Sequence, residues 1–437
     1  MKFLFDTCTS LDANFIKTRG VSLISYIHTL RTVAEAGGYS APESSINLSD
    51  DVDMVVQVET LAASLRTPDL KYIFVIGIGG SNLGTKAIYD ALYAARDSVP
   101  HTATRLLFVD TNDAAQLTAY RDVIWSCTHP SECMLLSISK SGGTTETLAN
   151  TEILLSVFRL KWKVDTERLV VIADAESPYG VAARAQGIQT LTLPTLVGGR
   201  YSVLSAVGLF PLALLGLPVA ELHRGAQMTR QFCLNVDMSI NPAAQSAVIL
   251  ATEYERGKTI HDTFVIGGRF ESLGKWYRQL LGESVGKEKS VAGEIVAVGI
   301  TPTVSVGSTD LHSVGQLYLG GPRDKVTTFI YDSMSASEPK VPTERTFGTL
   351  VPMITGKSVD EISAAILAGT KHAYNGRGLP FMEITFDGVT LLELGSFLQF
   401  KMIEVMYLGH LLGVNPFDQP AVELYKIETK RLLEEKK

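Results

Sequence analysis

Two stretches of this chain combine residue types that handle anions. The first is Gly77-Ile78-Gly79-Gly80-Ser81-Asn82-Leu83-Gly84. Glycines let a backbone approach a ligand closely, and the free N–H groups of a helix start attract negative charge. The second is Ser139-Lys140-Ser141-Gly142-Gly143-Thr144-Thr145-Glu146-Thr147. Its hydroxyls can donate to phosphate oxygens. Helix capping, with Glu146 in the first turn, accounts for one or two of them. Capping does not require Ser139, Ser141, Thr144 and Thr145 together, so anion binding is the expected chemistry. The glycine stretch is not a dinucleotide fingerprint, because Asn82 stands where the third glycine belongs. Asp110 could still imitate the acid that binds a ribose, which keeps a nicotinamide-dependent dehydrogenase open as a rival reading. No GK[ST] follows, so a Walker loop is excluded.

Both stretches need elements that hold them. Lys71–Gly77 is a short apolar run ending in glycine, as expected of a buried parallel strand. Further strands are expected at 105–110, 134–139, 168–173 and 189–193, with helices at 82–95, 114–124 and 145–162. Strands alternating with helices predict a doubly wound α/β unit, with both stretches outside the carboxyl ends of strands. A second alternating unit has expected strands at 263–266, 295–298, 326–331 and 382–386, and helices at 274–283, 359–374 and 390–412. FVIGIGGSNLG (74–84) and FVIGGRFESLG (264–274) echo each other, which suggests a duplicated architecture. Residues 1–68 read as a mostly helical extension with an extended polar stretch near 41–53. The expected units are 69–200, a helical connection over 201–257, a second unit over 258–412, and a C-terminal helix within 413–437.

Composition narrows the function. The chain has 437 residues, 46% hydrophobic and 19% charged, which suits a large buried core and not a disordered chain. A net charge of -7 disfavours nucleic acid, so any phosphate must be held by a few aimed groups. The longest uncharged apolar stretch, 206–220, contains Pro211 and Pro218 and is shorter than the roughly 20 residues a membrane helix needs. The start, MKFLFD, has no apolar signal-peptide region. Cys8, Cys127, Cys133 and Cys233 form no CxxC pair, which fits a reduced cytoplasm. The 8 histidines show no HxxxH or HxH spacing, so no metal site is expected.

A strand followed by SxSGxT and a helix is the signature of sugar isomerase (SIS) domains. With VIGIGGSNLG and SKSGGTTET together, the chain resembles the phosphoglucose isomerase family. GGRYSVLSAVGLFPLAL (198–214), GKWYRQLLGESVGKE (274–288), STDLHSVGQLYLGGP (308–322) and NPFDQPAVELYK (415–426) resemble further segments of that family, in order. The resemblance runs from about Tyr72 to Lys426. It implies two SIS-type α/β domains with parallel sheets, and isomerisation of glucose 6-phosphate and fructose 6-phosphate through a cis-enediol(ate), without metal or redox cofactor.

The same resemblance implies roles. Glu283 is the proton-transfer base, Arg200 stabilises the enediolate, and His312 with Lys426 opens the sugar ring. Ser139, Ser141 and Thr144 form the phosphate pocket, beside Lys140. Gly80, Ser81, Gln279 and Gln419 contact substrate. Gln279 lies four residues before Glu283, on the same helical face. By resemblance the partner is a second copy, a homodimer in which His312 serves the neighbouring site. Two departures stand out. Gly143 replaces a usual Thr, removing one hydroxyl from the phosphate loop. Pro420 after Gln419, with the absence of long extra segments, looks bacterial. A non-catalytic phosphosugar sensor would keep the hydroxyl loop and drop Arg200, Glu283, His312 and Lys426, which this chain retains.

Overall fold

The structure is a computed structural model that describes residues 1–5, 11–99, 103–164, 166–333 and 338–435. Cys8, Lys436 and Lys437 lie outside the described residues. The chain opens with a short strand, β1 (Lys2–Leu4), then helices α1 (Ala13–Gly20), α2 (Ile24–Ala36) and α3 (Val52–Leu65). The stretch at 41–53 is not extended. It is a 3₁₀ run over Pro42–Asp50 leading into α3, and Ile46 and Leu48 draw it into the core.

Next come β2 (Tyr72–Ile76), α4 (Leu83–Asp97), β3 (Arg105–Val109), α5 (Ala114–Ser126), β4 (Cys133–Ile138), α6 (Thr145–Trp162), β5 (Leu169–Ala173), α7 (Pro178–Ala185) and β6 (Gln189–Thr192). These strands form one parallel sheet in the order β3-β2-β4-β5-β6. β4 and β5 are buried at every residue, as strands covered on both faces must be. Helices α8 (Ala206–Leu214), α9 (Ala220–Cys233) and α10 (Pro242–Glu255) follow.

The second half runs β7 (Ile260–Ile266), α11 (Glu271–Val285), β8 (Lys287–Lys289), β9 (Ile295–Val298), β10 (Thr301–Gly307), α12 (Thr309–Ser313), α13 (Gly315–Gly320), β11 (Lys325–Asp332), α14 (Val359–Gly376), β12 (Phe381–Phe386), α15 (Leu391–Leu411) and α16 (Glu423–Glu435). Its sheet has the order β1-β12-β11-β7-β10. Two expectations are corrected here. The sheet is not wholly parallel, because β1 adds an antiparallel edge beside β12. The strand at 295–298 exists but pairs antiparallel with β8 in a separate ribbon, and β10 takes the sheet position beside β7. β9 is mostly exposed, so its apolar residues are not core residues.

The main core lies between the two sheets. α15 passes through it and is buried from Leu394 to Gly409, as a helix apolar on all sides should be. It packs against α9 with almost no separation. A Cβ on Gly225 of α9 would sit 1.9 Å from the Leu392 carbonyl oxygen, and one on Gly395 of α15 would sit 2.1 Å from that of Leu222. Both obstacles are backbone, so neither can swing aside. Gly395→Ala should cost about 3 kcal/mol, the upper end for overpacking, read as a clear fall in Tm by calorimetry. An unchanged Tm would contradict this account of the crossing.

Candidate active site

Both anion-handling stretches sit at the carboxyl edge of the first sheet. Chain direction reverses there between β2 and β4, the place where open α/β sheets bind ligands. Gly79 has φ +59, and a Cβ on it would meet the Gln279 amide nitrogen at 2.7 Å. Gly80 lies against Gly199: a Cβ there would fall 2.1 Å from that residue's carbonyl carbon. The glycines thus let the loop after β2 touch both α11 and the backbone leading into Arg200. Gly80→Ala should force that backbone away and lower both Tm and activity. A variant with parental values in both would refute this reading.

In the hydroxyl loop, Ser139 Oγ accepts from the Gly142 N–H (3.2 Å) and Ser141 Oγ from the Gly143 N–H (3.1 Å). Thr144 occupies the N-cap of α6, yet its side chain caps nothing. Its nearest polar neighbour is Ser139 Oγ, at 3.4 Å. Capping therefore does not explain this threonine. Lys140 is half-buried, and burial pulls its ammonium below the usual lysine range, with Asp174 opposing.

Arg200 is the hub. Its Nε donates to Ser284 Oγ (2.9 Å). Nη1 donates to Glu283 Oε2 (3.2 Å) and Gln419 Oε1 (2.8 Å). Nη2 donates to the carbonyls of Pro416 (2.6 Å) and Asp418 (3.1 Å). A guanidinium has five N–H donors, and each has a partner. The Arg200 side chain is 1% exposed, while that of Glu283 is 33% exposed, so the carboxylate faces the open side. Gln279 Nε2 holds the other carboxylate oxygen at 3.0 Å, and Gln279 Oε1 has no partner. α11 carries Gln279, Glu283 and Ser284, and Tyr277 anchors it by donating to Glu404 of α15 (2.5 Å). Glu404 is in turn paired with Lys401 at 2.8 Å in the core.

The structure thus brings together Arg200, Gln279, Glu283 and Gln419, with Gly80 and Ser81 beside them and Ser139, Lys140, Ser141 and Thr144 on the adjacent loop. Among the described residues, neither His312 nor Lys426 makes a hydrogen bond or ion pair with this group. His312 is exposed on α12. Lys426 pairs with Glu423 on α16, at 2.6 Å, and no residue of that helix is buried. Two residues, Lys287 and Tyr201, escaped the sequence reading. Lys287 is buried and binds the carbonyl and carboxylate of Asp418, so it pins the segment that carries Gln419. Burial pulls its ammonium below the usual range. Tyr201 donates to the Pro416 carbonyl at 3.2 Å and supports the same segment. Thr147 is buried on α6 with an unpartnered hydroxyl, three residues after Thr144 and on the same face. Among the described residues, no group of three or more His, Cys, Asp or Glu could hold a metal ion.

Comparison with known proteins gives this arrangement a lineage. The family model for phosphoglucose isomerase matches residues 56–437. The chain belongs to the phosphoglucose isomerase family. A glucose-6-phosphate isomerase of Carboxydothermus hydrogenoformans is 33% identical over 385 residues, covering 87% of this chain and 82% of the relative. A probable glucose-6-phosphate isomerase of Methanococcus maripaludis is 32% identical, covering 87% and 81%. Among solved structures, a hypothetical protein from Thermus thermophilus superposes with TM-score 0.85 at 26% identity, covering 99% of both chains. Family membership makes the chain an isomerase, and the duplicated α/β architecture is that expected of it. No helix among the described residues is long and apolar enough to cross a membrane.

Proposed function

We propose that this chain interconverts glucose 6-phosphate and fructose 6-phosphate through a cis-enediol(ate). The observation that carries the reading is the Glu283 carboxylate, held between Arg200 and Gln279 yet one-third exposed, on the helix whose Gln279 meets the glycine loop at Gly79. Ser139, Ser141 and Thr144 bind the phosphate, with Lys140 adding charge. Gly80, Ser81, Gln279 and Gln419 position the sugar. Glu283 takes the proton from one of C1 and C2 and returns it to the other. Arg200 meets the negative charge that develops on the sugar oxygens.

Ring opening falls to His312 and Lys426, neither of which bonds to Glu283 within one copy among the described residues. We propose a homodimer that supplies the missing approach, with His312 entering the neighbouring site. α16 supports this: Leu424 and Ile427 are 73% and 66% exposed, an apolar surface for a second copy to cover. A coupled assay of fructose 6-phosphate against glucose 6-phosphate tests the activity. Turnover is expected in dimeric fractions, and an active monomer would overturn the shared site.

A further inference from the structure

The two sheets repeat one connectivity. In the first, β2 is flanked by β3 and β4, and in the second β7 is flanked by β10 and β11. In each, the chain leaves the central strand for one neighbour and returns on its other side. The second sheet therefore has its own reversal point, between the carboxyl ends of β7 and β11. A cavity of about 570 Å³ lies there, lined by Gly267, Gly268, Arg269, Ser308, Asp332 and Ser363 among others. A Cβ on Gly267 or Gly268 would meet nothing within 4 Å, so this glycine turn borders open space. The first sheet's glycine loop is instead packed against Gln279 and Gly199.

The chemistry also differs. The first crevice offers hydroxyls and a lysine. Among the described residues, the wall of the second carries a single cation, Arg269, bound to Asp332 at 2.6 Å, and a further acid, Asp360. A wall with two carboxylates and one guanidinium, already paired, holds no cation in reserve for a phosphate dianion. Carboxylates accept hydroxyl protons, while serine hydroxyls and a guanidinium donate to hydroxyl oxygens. Ile266, Val359 and Ile366 add an apolar wall for C–H groups. We propose that this second crevice is a binding site for an uncharged polyol of monosaccharide size. It stands independently of the function assigned to the first crevice.

The test is saturation-transfer NMR on the full chain with sorbitol and with free glucose, at up to about 50 mM to cover millimolar affinities. Both should give signals that saturating glucose 6-phosphate leaves in place. Ile366→Trp fills the cavity and should abolish them. Asp332→Asn is the conservative second variant and should weaken binding at least tenfold, about 1.4 kcal/mol. Near-UV circular dichroism and isomerase turnover should stay parental in both variants. Three results would overturn the site: no signal from either polyol, signals erased by glucose 6-phosphate, or signals unchanged in a folded Ile366→Trp protein. Displacement of sorbitol by inorganic phosphate would overturn the proposed ligand class.

Discussion

Glu283→Gln should leave a folded protein whose kcat is lower by about three orders of magnitude, within the range general-base catalysis supplies. The substitution is nearly isosteric. The amide oxygen can still accept from Arg200, and α11 keeps its anchor through Tyr277. What is lost is the ability to take a proton. KM should therefore move by less than about threefold, because phosphate and hydroxyl contacts form elsewhere. The measurement is a steady-state assay in both directions, with Tm recorded alongside. Parental turnover in a folded Glu283→Gln protein would end the proposed role of this residue. A rise in KM with kcat intact would reassign it to binding.

The second large effect is expected at Arg200. Lysine preserves the charge but brings three donors where five acceptors wait. At least two acceptors then lose their partner around a side chain that is only 1% exposed. Arg200→Lys should cost about 3 kcal/mol of stability, the lower end for breaking a buried charged network. It should also release the 415–419 segment, so turnover falls with the misplacement of Gln419. The combined loss in kcat/KM should be about two to three orders of magnitude. Chemical denaturation and the same assay give the two readouts. A denaturation midpoint near the parental value would show that the network contributes little to the fold.

Periodicity located the central strands of the first sheet well because β2, β4 and β5 are buried almost throughout, and continuous apolar runs mark such strands. It failed where composition and burial diverge. Ile295–Val298 is apolar but exposed in a ribbon, whereas β10 contains Pro302 and alternating hydroxyl residues yet occupies the sheet. Pairing with β7 decides that, and pairing is not a local property. β1 was hidden for the same reason: three residues form a strand because β12 offers an edge.

The site divides similarly. Helical spacing placed Gln279 and Glu283 on one face, but only the family resemblance singled them out. The contacts to the carbonyls of Pro416 and Asp418 were not readable, since backbone acceptors carry no residue-type signal. Lys287 carries no signal of its own in the sequence, and only the fold of the 415–419 segment over it gives it work. Family motifs pointed to His312 and Lys426, but a motif carries no geometry, and within one copy neither residue bonds to the Arg200 network among the described residues.

The full complement of bonds on Arg200 has a consequence for selectivity. This guanidinium is coordinatively saturated, so a substrate oxygen can reach it only by exchange, displacing an acceptor already bound. A neutral hydroxyl or carbonyl oxygen is no better an acceptor than the Gln419 amide or the Glu283 carboxylate it would replace, so the exchange gains nothing in the ground state. An oxyanion is better, because charge-assisted hydrogen bonds are the stronger ones. The swap becomes favourable only as negative charge builds on the sugar. In the role proposed for it, Arg200 would contribute little to holding the substrate and would reserve its charge for the transition state, where binding energy accelerates the reaction.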